Sequence, residues 1–153
     1  MRETARRLIR ALYNIDEVYY LNEAKKKVSD AELCVMYALD DGRPHSQREI
    51  SQEWLVPKTS VNTIVKRWEK DGLVTMVPIP GKRREMHVML TAAGRDYAKQ
   101  FLGFLYRAED HALEKTLERY SDGFIEVIEF FGARLKEAFD EEMDGGESGN
   151  GLD

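Results

Sequence analysis

The hydrophobic pattern of residues 57–72 predicts an amphipathic helix. Its apolar positions recur at the spacing i, i+3, i+4 and i+7 and form one buried stripe: Val61, Ile64, Val65 and Trp68. Pro57 suits the first helical position, and Gly72 suits the left-handed residue that ends a helix. The opposite face carries short hydrogen-bonding side chains and then cations: Lys58, Thr59, Ser60, Asn62, Thr63, Lys66 and Arg67. Such a face either reads bases in a DNA major groove or is an ordinary solvated surface.

The segment before this helix favours the DNA-reading interpretation. Ser46 and Glu49 have the spacing of a capping box, which predicts the start of a short helix. That helix should bury Ile50 and Trp54 before a tight turn at residues 55–56. Two short helices joined in this way form a helix-turn-helix, in which the second helix reads the DNA.

The segment after the helix predicts a β-hairpin. Residues 73–77 and 86–90 are apolar and β-branched runs, and the turn-forming sequence Pro78-Ile79-Pro80-Gly81 follows the first. The tip carries three consecutive cations, which can contact the DNA backbone or its narrow groove: Lys82, Arg83 and Arg84. A helix-turn-helix followed by a basic hairpin is a winged helix.

Residues 30–94 resemble the MarR family of bacterial transcription regulators. The resemblance rests on four segments in order: Ser46-Gln47-Arg48-Glu49-Ile50, the run from Val61 through Trp68-Glu69-Lys70-Asp71-Gly72-Leu73-Val74, Arg84 six residues before Leu90, and Leu90-Thr91-Ala92-Ala93-Gly94. It implies a two-fold dimer that binds a pseudo-palindromic operator, often releasing it when a small ligand or an oxidant arrives. Two positions depart from the family pattern. Lys82 replaces the usual Asp that ties down the wing, and Trp68 replaces the usual Leu.

The rest of the chain predicts long helices on both sides of the winged helix. A first helix covers residues 3–27, a second is capped by Ser29 or Asp30, a third runs from a Thr91 cap to about Tyr120, and a last begins at 121 or 122. We therefore expect a mainly α fold with a small β hairpin, divided into four segments: an N-terminal dimerisation helix (1–28), the winged helix-turn-helix DNA-binding domain (29–92), C-terminal dimerisation helices (93–143) and a disordered acidic tail (144–153).

The terminal helices carry more large apolar residues than a helix hairpin beside a small winged domain can bury. A partner copy would cover them and would set two reading helices about one DNA turn apart, roughly 34–36 Å. The alternative is a monomeric bundle in which the helices fold back on their own chain.

The distribution of charge supports a nucleic-acid partner although the 153-residue chain has a net charge of −5. Residues 43–87 hold 9 Lys and Arg against 5 Asp and Glu, whereas residues 88–153 hold 7 against 15. The local patch, not the total, determines binding to DNA. With no apolar run long enough to span a bilayer and no signal-peptide pattern, the expected location is the cytoplasm.

Other candidate chemistry is sparse in this sequence. Cys34 is either an oxidant sensor or a small buried apolar residue, and its apolar neighbours with no adjacent cation favour the second. The three histidines, His45, His87 and His111, lack ligand-spaced partners, so we expect no metal and no cofactor. No catalytic motif is recognisable, and an enzyme is not expected.

The hypothesis is thus a dimeric, sequence-specific DNA-binding regulator, expected to be a repressor. Thr59, Ser60, Asn62 and Thr63 would read bases. The DNA backbone or minor groove would be held by Ser46, Gln47, Lys58, Lys66, Arg67, Lys82, Arg83 and Arg84. By the resemblance, a small aromatic or amphipathic effector would bind where the long helices meet the winged domain.

The residues that could line such a pocket are Tyr13, Tyr20, Met36, Tyr37, Tyr97 and Phe101, although residues of these types are also common in an ordinary core. The alternative function is a winged helix used as a protein-protein interaction module without sequence-specific DNA binding.

Overall fold

The computed structural model of the chain describes residues 1–26, 29–81 and 85–147. It contains six helices and a three-stranded sheet within those residues: α1 Arg2–Lys26, α2 Asp30–Asp40, β1 His45–Ser46, α3 Gln47–Glu53, α4 Lys58–Lys70, β2 Val74–Pro78, β3 Met86–Leu90, α5 Ala92–Leu117 and α6 Gly123–Glu147. The prediction of a mainly α fold with a small β element is confirmed. No helix among the described residues is both long and apolar enough to cross a membrane.

The sheet has the order β1-β3-β2 and is antiparallel throughout. The predicted hairpin is present, and its register pairs Val74 with Leu90 and Pro78 with Met86. Strand β1 was not predicted, because two residues are too few to produce a periodic signal. It pairs His45 with Val88 and so attaches the start of α3 to the wing.

The chain separates into two compact units, Met1–Phe104 and Leu105–Asp153. The core of the first lies in the winged helix-turn-helix, where α2, α3, α4 and β3 contribute deeply buried side chains: Val35, Met36, Leu39, Ile50, Val61, Val65, Trp68 and Val88. Leu102 of α5 is equally buried. All four residues of the predicted apolar stripe on α4 are buried. Val61, Ile64, Val65 and Trp68 therefore fix which face of α4 points outward.

Helix α5 begins at a close contact with the end of α4. The Thr91 hydroxyl donates to the Gly72 carbonyl over 2.7 Å and accepts from the Gly94 amide over 3.0 Å. A Cβ added to Gly94 would lie 1.9 Å from the Leu73 carbonyl oxygen. Only glycine permits this approach, which explains the Thr-Ala-Ala-Gly segment in physical terms.

Several element boundaries differ from the prediction. Pro57 is the residue before α4 and not its first residue, with ψ 135° in the extended region. Trp54 is 38% exposed, so the expectation that it is buried is wrong. It ends α3 and stacks on Tyr37, with ring centroids 5.4 Å apart. Helix α6 continues to Glu147, into the segment expected to be disordered, and residues 148–153 lie outside the described part.

The second unit contains the end of α5 and all of α6. Helix α5 ends at a tight turn, in which the backbone amides of Arg119 and Tyr120 both donate hydrogen bonds to the Thr116 carbonyl. Helix α6 starts shortly after this turn. Large apolar side chains remain exposed along α6: Ile125, Val127, Ile128, Phe130, Leu135, Phe139 and Met143.

Candidate nucleic-acid interface

The turn before α4 sets the position of this helix. Leu55 adopts the left-handed backbone conformation, with φ 53°, and is solvent-exposed. The Ser51 hydroxyl donates to the Val56 carbonyl over 2.7 Å, and the Val56 side chain is buried. These contacts fasten the turn at both sides, so α4 is presented at a defined angle to α3.

The capping box at the start of α3 is present as predicted. The Ser46 amide donates to Glu49 Oε2 over 2.6 Å, and the Glu49 amide donates to the Ser46 hydroxyl over 3.2 Å. These hydrogen bonds from Ser46 lower the pKa of Glu49 below its ordinary value. Ser46 is buried and Gln47 half-buried, beside a cleft of about 290 Å³ against Met76 and Met86 of the wing.

The outward face of α4 is a stripe of polar and cationic side chains. Its members are spaced four, three and four residues apart, which places them on one face of the helix: Thr59, Thr63, Lys66 and Lys70. All four side chains are exposed. Sequence reasoning did not assign Lys70, although its spacing from Lys66 was the signal for it. With the buried stripe assigned, a partner of α4 can contact the outward stripe and the exposed residues beside it.

The two flanks of that stripe differ in composition. Lys58, exposed Asn62 and Glu69 lie on one side, and Ser60, Arg67 and Asp71 on the other. Ser60 is half-buried. The Thr63 hydroxyl donates to the Thr59 carbonyl over 2.8 Å, so outward it offers lone pairs and a methyl group.

Arg67 makes an ion pair that sequence reasoning missed. Its Nη2 binds Glu32 Oε1 at the start of α2, 35 positions earlier in the chain. Partial burial alone would raise the pKa of Glu32, but hydrogen bonds from Ser29 and the pairing with Arg67 lower it. The spacing of Ser29 and Glu32 in the sequence is that of a capping box, so this part of the arrangement could have been predicted. The pairing of Glu32 with Arg67 could not, because the two residues are far apart in the sequence.

The wing tip falls outside the described residues. Lys82, Arg83 and Arg84 are therefore predictions from sequence alone. The strands that lead to the tip are described up to Gly81, which has φ 79°, and from Glu85 onward. The Ile79 amide donates to the Glu85 carbonyl over 3.2 Å and closes the base of this loop.

The predicted pocket residues occupy different environments. Tyr13 and Tyr20 on α1 are 69% and 67% exposed, and Met36 is fully buried. Tyr97 and Phe101 on α5 pack against each other with ring centroids 5.5 Å apart. Burial raises the pKa of the Tyr97 phenol, and the Glu32 carboxylate adds to this shift. The remaining residue, Tyr37, is half-buried against Trp54.

The side chains considered for metal or redox chemistry do not converge within the described residues, where no three His, Cys, Asp or Glu side chains could hold a metal ion together. His45 Nε2 lies 2.9 Å from Asp41 Oδ1, which also accepts from the Arg43 amide. Burial would raise the pKa of Asp41, but these bonds lower it. Half-buried Cys34 lies with its Sγ 3.8 Å from a carboxylate oxygen of Asp30.

Comparison with known sequences gives two matches. Residues 27–85 match the sequence model described as the MarR family. The HTH-type transcriptional repressor NicR of Pseudomonas putida is 30% identical over 88 residues, which are 57% of this chain and 56% of that protein. The match thus spans about half the length of this curated relative.

Comparison with solved structures identifies similar folds at low sequence identity. NMB1585, a MarR family regulator from Neisseria meningitidis, has a TM-score of 0.70 and 18% identity over 92% of this chain and 96% of its own. NadR, solved with 4-hydroxyphenylacetate, has a TM-score of 0.63 and 19% identity over 84% of this chain and 88% of its own. FabT of Streptococcus pneumoniae, solved with DNA, has a TM-score of 0.59 and 21% identity over 89% of this chain and 97% of its own.

Proposed function

Because residues 27–85 match the MarR family of transcription regulators, we propose that this chain is a member of that family and acts as a dimeric, sequence-specific DNA-binding transcription regulator that represses from a pseudo-palindromic operator. The observation that carries the proposal is the outward face of α4. A buried stripe of four apolar residues holds the helix, and the exposed stripe consists of threonines and lysines. Threonines contact base edges, and lysines bind phosphates.

We assign base reading to the first half of α4. Thr59, Asn62 and Thr63 are exposed there, and Ser60 lies at the edge of the face. An asparagine can bind adenine through two hydrogen bonds. Because the Thr63 hydroxyl proton is donated to the Thr59 carbonyl, Thr63 would accept from a base amino group or contact a thymine methyl.

We assign phosphate binding to the cations that surround this reading segment. Lys58, Lys66 and Lys70 lie on α4, and the wing contributes Lys82, Arg83 and Arg84. Ser46 and Gln47 at the start of α3 would contact the backbone. The net positive charge of residues 43–87 supports this assignment, because counterion release from phosphates supplies most non-specific affinity.

A second copy of the chain would cover the exposed apolar side chains of the terminal helices. In the first unit, α1 exposes Tyr13, Ile15, Val18, Tyr20 and Leu21. In the second unit, α6 exposes seven large apolar side chains. Apolar stripes of this size on a single chain are typical of an interface, and a two-fold dimer supplies the pair of reading helices that a palindrome requires.

A small aromatic or amphipathic effector would act through the helices beside the winged domain. Tyr97 and Phe101 provide packed aromatic surface, and exposed Tyr13 and Tyr20 on α1 could complete a pocket in the dimer. NadR, a protein of the same fold, was solved with 4-hydroxyphenylacetate, an aromatic carboxylate. Such a ligand releases DNA only if it binds the DNA-free arrangement more tightly.

The test is selection of the full-length chain against a random double-stranded DNA library, followed by a salt titration. We expect an inverted repeat with half-sites about one helical turn apart and affinity that falls steeply with salt. Asn62→Ala should lose about 1–3 kcal/mol at one base position, whereas Lys66→Ala should weaken all sequences alike and reduce the salt slope by about one. Binding with no enriched sequence and little salt dependence would contradict the proposal and favour a protein-interaction module.

A further inference from the structure

The ion pair between Arg67 and Glu32 joins the reading helix to the start of the winged domain. The Arg67 side chain is 51% exposed, and that of Glu32 is 21% exposed. Arg67 lies beside the outward stripe of α4, one helical turn after Thr63. The one arginine of α4 is therefore held by a carboxylate at the edge of the surface proposed to bind DNA.

The Glu32 carboxylate cannot easily move away from this position. Its Oε2 accepts from the Ser29 amide over 3.0 Å and from the Ser29 hydroxyl over 2.9 Å. The Glu32 amide in turn donates to the Ser29 hydroxyl over 3.2 Å. One carboxylate oxygen thus caps α2 while the other binds Arg67, and the cap keeps the negative charge where it is.

Two physical outcomes are possible when a phosphate approaches Arg67, and both weaken binding. If Arg67 leaves Glu32, the half-buried carboxylate loses a charge-assisted hydrogen bond. If Arg67 stays, the phosphate and the carboxylate share one cation at close range, and like charges repel. In either case Arg67 contributes less to DNA binding than an unpaired arginine would.

We propose that Glu32 is a residue that limits non-specific DNA binding by neutralising Arg67 on the reading helix. The inference rests on the proposed DNA-binding function and adds a residue outside the reading helix to it. Capping alone explains the Ser29 bonds but not why the second carboxylate oxygen binds a cation 35 positions away.

The test uses Glu32→Gln, because glutamine also completes a capping box and removes only the charge. The partner change is Arg67→Met, which keeps an unbranched side chain and removes its cation. The charge control is Glu17→Gln, which alters an exposed carboxylate on α1 by the same single charge. The probe is a mixed-sequence DNA duplex of about 30 base pairs, titrated with each full-length variant at several salt concentrations.

We expect Glu32→Gln to bind this duplex more tightly than the native chain and to steepen the salt slope by about 0.9. Its advantage over the native chain should therefore shrink about 3.5-fold when the salt is raised fourfold. In the Arg67→Met background the same change should have no more effect than Glu17→Gln. The melting temperature of Glu32→Gln should lie within a few degrees of that of the native chain, since the cap is retained and only a partly exposed ion pair is lost.

Three results would overturn the inference: unchanged or weaker binding by Glu32→Gln, an equal gain with Glu17→Gln, or a gain that persists without Arg67. If instead the native chain and every variant fail to bind any duplex, the proposed DNA-binding function is wrong and the inference falls with it. That outcome is distinct, because the first three require a native chain that binds.

Discussion

The winged helix-turn-helix and the terminal helices α1 and α6 carry similar apolar stripes, but the stripes are covered differently. On α4 the four apolar residues are buried within the same chain, and on α2 five are. On α1 and α6 the apolar residues are largely exposed, as Tyr13 and Phe139 illustrate. Helical periodicity identifies the face that will be covered, but it does not identify what covers it. The first region can therefore be explained by intrachain packing, and the second points to another molecule.

The largest expected effect is the loss of a core side chain on α4. Trp68→Ala should lower the free energy of unfolding by about 4 kcal/mol, because the indole is buried and its removal leaves a cavity. Urea denaturation at one fixed protein concentration measures this loss. The control is Leu55→Ala at an 88% exposed position, where the change should stay within about 0.5 kcal/mol. Similar losses in both variants would mean that α4 does not carry the core.

A smaller effect, on association and not on folding, is expected from α6. Phe139→Asp places a charge on its apolar face and should weaken self-association by at least about 3 kcal/mol, or roughly 100-fold. Sedimentation over a range of concentrations measures this, with Lys136→Asp as the control at an exposed polar position of the same helix. Equal effects of the two substitutions would remove the distinction between the two regions.

The contact between α5 and the end of α4 supplies an intermediate effect on stability. Gly94→Ala should cost about 2–3 kcal/mol, because its Cβ would meet the Leu73 carbonyl oxygen and force the backbone apart. Ala93→Gly, one position earlier and exposed, should cost only about 1 kcal/mol through helix propensity. Thermal unfolding of both variants checks the order, and a harmless Gly94→Ala would show that the close approach is not required.

The smallest effect concerns acid stability. The pKa of Glu49 is lower in the folded chain than its usual 4.5, so the unfolded chain binds more protons as the pH falls. The stabilisation is fully present above about pH 4.5 and is lost as the pH drops through the folded pKa. Glu49→Gln should therefore flatten the acid limb of a stability-pH curve. Parallel acid limbs for the native chain and Glu49→Gln would contradict this role.

Local sequence signals predicted the winged helix-turn-helix well. The capping box at Ser46, the apolar stripe ending in Trp68 and the hairpin all depend on residues that are close in the sequence. The features that were missed depend on distant pairing. Strand β1 exists because it pairs with β3, and Arg67 is held by a residue 35 positions away. Trp54 was expected to be buried because it is large and apolar, but it lies at the surface, where its ring stacks on Tyr37.

The part of the candidate site that could be predicted from the sequence is the outward face of α4. The spacing of α4 identified the outward residues apart from Lys70, since a period of 3.6 residues fixes direction once the buried stripe is known. The effector pocket could not be predicted in the same way. Its candidate residues lie on α1, α2 and α5, and whether they converge depends on how long helices pack, including helices of a second copy.

The mass of the full-length chain in solution is the most direct test of the comparison between the two regions. The account predicts that sedimentation equilibrium at micromolar concentration gives twice the chain mass of 17.7 kDa, with hydrogen exchange slowed along α1 and α6. A mass of 17.7 kDa at every concentration, together with hydrogen exchange that is still slowed along α1 and α6, would contradict the account. The terminal helices would then be covered within one chain, and a two-fold reader of a palindrome would be excluded.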